Sequence, residues 1–255
     1  KTNLMRTAYN MIIYEALDFT TGLFTAEGET VSIGLGLPMV SMGLMGLWLP
    51  VEQAAAILVL PAILTNVWQS LAGGALMSLL ARLWPMVGCL VIGTVLTAGV
   101  MTSGNTSITG AFLGAILAIY AGLALAGYQF TVSRRAEPVL GPATGFVTGL
   151  ICGATGIFAV PAAPYVQALN LGKDELVQAI GIVALIATTA LALGLGLNGS
   201  LEIEVVVPGS IAVFAAFAGM LIGRNLRAKL SVEMFRRWIL IGLIVLGGAM
   251  IVRAF

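Results

Sequence analysis

Three polar side chains, Thr65, Asn66 and Gln69, stand together in the apolar stretch "PAILTNVWQSL" at 61–71. On a helix, positions 65 and 69 share a face and position 66 lies beside it. Such a cluster offers neutral hydrogen-bonding groups. It can hold a polar or charged solute, but it supplies no nucleophile and no strong base. A second constellation is "GLICGATGIFAVPAAP" at 149–164, with three glycines and two prolines in sixteen residues. A break there is expected near Gly153–Gly156, with Gly153, Thr155 and Gly156 at the N-terminal end of a half-helix. Free N–H groups and a partial positive charge at such an end attract anions. A third set, Ser32, Gly34 and Gly36 in "TVSIGLGLP", would present a matching end. Gln53 and Gln178 open two further apolar segments, where they complete a site or cap their helices. The competing role for the glycines is close helix packing; for the amides it is an interhelical bond worth about 0.6 kcal/mol.

Other chemistries are excluded by what the chain lacks. It has no histidine, so no His-based triad and no imidazole metal site can be built. Cys89 and Cys152 both lie in apolar runs and form neither a metal-type pair nor a disulfide framework. No metal, cofactor or catalytic residue is expected. A net charge of +1 argues against nucleic acid as a partner. Glu15 and Asp18 interrupt the N-terminal apolar stretch, so no cleavable signal pattern is read there.

The elements that would position these groups follow from the solvent. The chain is 59% hydrophobic and 9% charged, with mean hydropathy +1.05, and no charged residue occurs between Arg82 and Arg134. Spanning a bilayer takes about 20 apolar residues. The expectation is an all-α polytopic membrane protein with eight apolar segments, at 8–48, 53–72, 83–101, 107–129, 139–169, 176–197, 205–223 and 238–253. Six have ordinary lengths. Segment 139–169, as one helix, would run about 46 Å against a core of about 30 Å, yet it is too short for two spans. A hairpin that enters and leaves on one side fits it, and the same holds for 8–48.

Charge placement separates the two topologies. If all eight segments cross, the twelve Lys/Arg residues divide six and six. If segments one and five turn back, Arg82, Arg134, Arg135, Lys173 and the five basic residues from Arg224 to Arg237 gather inside, with Lys1, Arg6 and Arg253 outside. Nine against three obeys the positive-inside bias. The chain then reads as a hairpin plus three spans, twice. Three is odd, so the second copy is inverted. "EQAAAILVL" at 52–60 echoes "VQAIGIVAL" at 177–185, Pro85 pairs with Pro208, and Phe112 with Phe235, at offsets of 123–125. The expected units are 1–130, a cytoplasmic linker 131–138, and 139–255. Inverted repeats with paired discontinuous segments are a transporter design.

The run "GFVTGLICGATGIFAVPAAPYVQALNLGKDELVQAIGIVAL" and its counterpart "IGLGLPMVSMGLMGLWLPVEQAAAILVLPAILTNVWQSLAGG" resemble the repeat signatures of the TauE/SafE sulfite-exporter (TSUP) family. The resembling elements are the Gly-rich turn before Val160-Pro161, the P-x-x-x-x-G-L run from Pro38, and the N-x-W-Q run from Asn66. The resemblance covers about 28–253. It implies a multi-pass inner-membrane exporter of sulfite, sulfoacetate or related sulfonates, or thiosulfate, working by alternating access; a passive anion channel of the same architecture is the alternative. A homodimer is also expected. The tips read "SIGLGLP" and "ATGIFAVP" where many members carry three consecutive glycines.

Overall fold

The computed structural model describes residues 21–24, 30–34, 42–71, 74–102, 106–126, 131–199, 211 and 232–254. Two strands, β1 (Thr21–Phe24) and β2 (Thr30–Gly34), pair antiparallel with a bulge between Leu23 and Phe24. Among the described residues, the helices that follow include α1 (Val51–Leu71), α2 (Leu76–Met101), α3 (Thr106–Ala126), α4 (Glu137–Thr155), α5 (Ala162–Gln167), α6 (Lys173–Leu197) and α7 (Val232–Ala254). Four of them, α1, α2, α4 and α6, are long and apolar enough to cross a membrane; α3 and α7 carry shorter apolar stretches. The helical expectation therefore holds for every described element but the ribbon. Most of segments 205–223 and 8–48 lies outside the described residues.

Close contacts fix the helix directions. Gly145, Gly149 and Gly153 of α4 lie against the carbonyls of Met86, Leu90 and Thr94 of α2, so α4 and α2 run parallel. Their four-residue spacing puts every glycine on one face, and small residues let membrane helices approach this closely. The Thr97 hydroxyl closes the seam by donating to Leu150 O at 2.8 Å. α6 is also parallel to α2, because Gln178 meets Ala75 at one end and Gly194 meets Ala98 at the other. α1 opposes α6: Gln69 packs on Gly181, while Ala55 and Leu191 meet at Gly156. α3 and α7 are antiparallel as well, with Gly114 and Gly247 each against the other's carbonyl.

These directions separate the two topologies. If segment 139–169 crossed once, α6 would run with α1, and α7 with α3; the opposite is observed. After α4 the chain turns back. Gly156 caps the helix at φ 76, a left-handed conformation that glycine adopts without a Cβ clash. The return arm runs from Ile157 through a cis Val160–Pro161 bond and the short α5. Its end lies back beside the start of α4, where Val132 N–H donates to Ala168 O at 2.9 Å. The basic residues sort accordingly. Arg82, Arg134, Arg135 and Lys173 lie toward the end where α4 starts, and Arg253 lies at the opposite end, where its guanidinium donates to Leu47 O.

Two details differ from the sequence reading. The arms are unequal: the first is a 19-residue helix, while the second holds only the six-residue α5. And α2 begins seven residues before the expected 83, because Arg82 inside it is paired, as described below.

Candidate functional site

The break at 153–156 is where the sequence places it, but its polarity is the reverse of the expected one. Gly153, Thr155 and Gly156 form the C-terminal end of α4, which presents carbonyls and partial negative charge. Such an end repels an anion. The local groups are also engaged. Thr155 Oγ1 donates to Ile151 O at 2.7 Å and accepts from Ile157 N–H at 3.2 Å. Gly153 is packed against Thr94 and Thr97, and Gly156 N–H donates to Cys152 O. Packing and capping account for all three. Ser32 and Gly34 fall on strand β2 rather than at a helix start. Gly36 lies outside the described residues.

Gln178 is fully engaged. Its Nε2 donates to Ser70 O at 2.7 Å and its Oε1 accepts from Ala75 N–H at 3.0 Å. With 1% exposure, this one carboxamide satisfies the last turn of α1 and the approach to α2, groups that have no water to turn to in a membrane. Sequence reasoning left a structural role open for it, and that role is the one observed.

Asn66 and Gln69 behave differently. Both are inside α1, at 3% and 2% exposure. Gln69 lies against Gly181 of α6, where an added Cβ would come 2.8 Å from Gln69 Cγ. Its Nε2 has no hydrogen-bond partner. Thr65, by contrast, donates to Pro61 O and Ala62 O and is locally satisfied. Thr188 and Thr189 likewise donate to Ala184 O and Leu185 O. Among the described residues, two further buried atoms have no partner: Thr148 Oγ1 on α4 and Glu52 Oε2 in the first turn of α1. Neither was singled out from the sequence. Thr148 is one hydroxyl among many in apolar runs, and Glu52 sits just ahead of segment 53–72.

A basic group guards the end where the hairpin closes. Arg82 grips Glu137 bidentately, Nε to Oε2 at 2.9 Å and Nη2 to Oε1 at 2.6 Å, and Nη2 also donates to Leu169 O at 3.2 Å. One guanidinium thus joins α2, the start of α4 and the end of the return arm. A fork of donors facing a carboxylate is the strong form of such a bond. The cavity between the return arm and α6 is lined by Phe158, Ala162, Ala163, Val166, Ile180 and Val183. It offers no side-chain donor. Among the described residues no group of three acidic, cysteine or histidine side chains could hold a metal.

An apolar helical bundle, a hairpin that turns back within it and the unpaired Gln69 amide donor in a span suit passage of a polar solute. The family model for the sulfite exporter TauE/SafE matches residues 23–250, nearly the whole chain. The chain belongs to the TauE/SafE family. No curated protein and no solved structure matches it. Membership makes this a multi-pass membrane protein of a sulfite-exporter family, and it places the orphan donors of α1 and α4 inside a transporter fold.

Proposed function

We propose that the protein exports a small sulfur oxyanion, sulfite or a sulfonate such as sulfoacetate, across the inner membrane by alternating access, with Asn66 and Gln69 as its principal neutral donors. Gln69 carries this reading: a carboxamide almost wholly buried in a span, with Nε2 open. Leaving such a donor unmet costs about 1–3 kcal/mol, and a transported anion would meet it. Neutral donors suit the task, because they stabilise charge in transit without trapping it as a buried cation would. Outward movement of one negative charge gains about 2.3 kcal/mol per 100 mV of interior-negative potential, which supports export.

The mechanism also proposes that the chain is an inverted duplication. Two observations support it: the helices paired by the repeat, α1 with α6 and α3 with α7, pack antiparallel as an in-plane two-fold requires, and Gly114 and Gly247 meet reciprocally. We further propose a homodimer as the assembled form. The test is a thermal-shift titration of purified protein with sulfite, sulfoacetate, thiosulfate and sulfate. Sulfite or sulfoacetate should stabilise the wild type, and Asn66→Ala and Gln69→Ala should reduce that shift. No response to any of the four overturns the assignment.

A further inference from the structure

Arg134 and Arg135 stand in the turn that leads into α4, and both are exposed. The turn is fixed. Val132 N–H donates to Ala168 O at 2.9 Å and Ala136 N–H donates to Ser133 O at 2.9 Å, while Ala136 keeps helical dihedrals, φ −87 and ψ −19. The carboxylate next along the chain is already taken, because Arg82 holds both oxygens of Glu137. Glu175, in the first turn of α6, accepts from Gly172 N–H at 3.2 Å instead. Among the described residues neither arginine has a carboxylate partner.

The surface that follows them is apolar. Val139, Leu140, Phe146 and Val147 of α4 are exposed, at 73%, 43%, 38% and 45%. Positions 139, 143, 146 and 147 share one helix face, and Arg135 precedes Val139 by one turn. From 139 to 147 the helix rises about 12 Å, within half of a hydrocarbon core of about 30 Å. Deeper along α4 the exposure ends, since Cys152, Gly153, Ala154 and Thr155 are buried. Charge at the rim and an apolar strip one leaflet deep match the two parts of a phospholipid.

We infer that Arg134 and Arg135 hold the phosphate of one anionic phospholipid, whose acyl chains lie along the 139–147 face of α4. A guanidinium fork fits phosphate oxygens, and a headgroup of net negative charge brings no positive group to oppose two arginines. A soluble anion would use the arginines and leave the strip unused. The site also acts on the fold. α4 opens the hairpin, and Arg82 ties that opening to α2 and to the end of the return arm, so the lipid steadies the closed end of the hairpin in its leaflet. The inference goes beyond the exporter reading and needs only the membrane-spanning bundle.

The test titrates the purified protein in detergent with phosphatidylglycerol and with phosphatidylcholine, counting bound lipids by native mass spectrometry and reading the melting temperature alongside. The wild type should bind phosphatidylglycerol more tightly than phosphatidylcholine and melt higher with it. In Arg134→Gln/Arg135→Gln one phosphatidylglycerol site should weaken about thirtyfold, the worth of two arginines at an anionic surface. The melting temperature of that variant in lipid-free detergent should match the wild type. Arg134→Lys/Arg135→Lys should keep most of the binding, because the charge remains. Equal phosphatidylglycerol binding by the glutamine variant overturns the inference. A lower lipid-free melting temperature in that variant also overturns it, since the arginines would then serve the fold. Displacement of the lipid by excess inorganic phosphate identifies a site for soluble anions and overturns it too.

Discussion

Two interfaces in the bundle use glycine in the same way and end differently. Along α2 and α4, Gly145, Gly149 and Gly153 bring backbone against backbone, and the Thr97 hydroxyl closes the seam. Along α1 and α6, Gly181 gives room to a side chain instead, and that side chain, Gln69, is left with an open donor. The first interface is complete without a ligand. The second is complete at Gln178 and open at Gln69, one residue from the Ser70 carbonyl that Gln178 holds. Glycine alone thus says nothing about function; what its space admits decides the matter.

The largest effect should come from filling the complete interface. Gly145→Leu drives a side chain into the Met86 carbonyl, and overpacking costs about 1–3 kcal/mol, occasionally more. Backbone has nowhere to move here, so the variant should fall at or beyond the top of that range, read as loss of monodisperse protein or a collapsed melting temperature. Gln178→Leu comes next. It strands Ala75 N–H and Ser70 O in an apolar setting, and each unmet group costs about 1–3 kcal/mol; thermal melting should show destabilisation without anion present. Smaller is Arg82→Met, which leaves Glu137 unpaired. That pair is partly solvent-accessible, so its contribution is discounted toward about 1 kcal/mol. A double-mutant cycle with Glu137→Gln measures the coupling, and near-zero coupling would remove Arg82 as the clasp of the hairpin. Smallest for the fold is Gln69→Leu, expected to be neutral or slightly stabilising because it removes an unmet donor.

Much of this bundle was legible in the residues. Segment lengths placed helices α1, α2, α4 and α6, which are long and apolar enough to cross a membrane, and the Gly/Pro pattern placed a break near Gly153–Gly156, where α4 ends. The bias of basic residues favoured a chain that turns back at 139–169, and the observed helix directions agree. The sign of the break was not legible: glycine marks an interruption, but whether the helix ends or starts there depends on how the 31 residues divide between the arms. The β-ribbon is foreshadowed only by "TVSI" at 30–33, which is rich in β-branched residues. Gln178 could not be resolved from sequence because its partners lie 103 and 108 residues away.

The open carboxamide of Gln69 is the feature on which the exporter account turns, and flux measures it most directly. Sulfite efflux from proteoliposomes should fall about tenfold or more in Gln69→Leu, the worth of a hydrogen bond to a charged ligand, while the melting temperature stays at or above the wild-type value. Full efflux from that variant at unchanged stability would contradict the account.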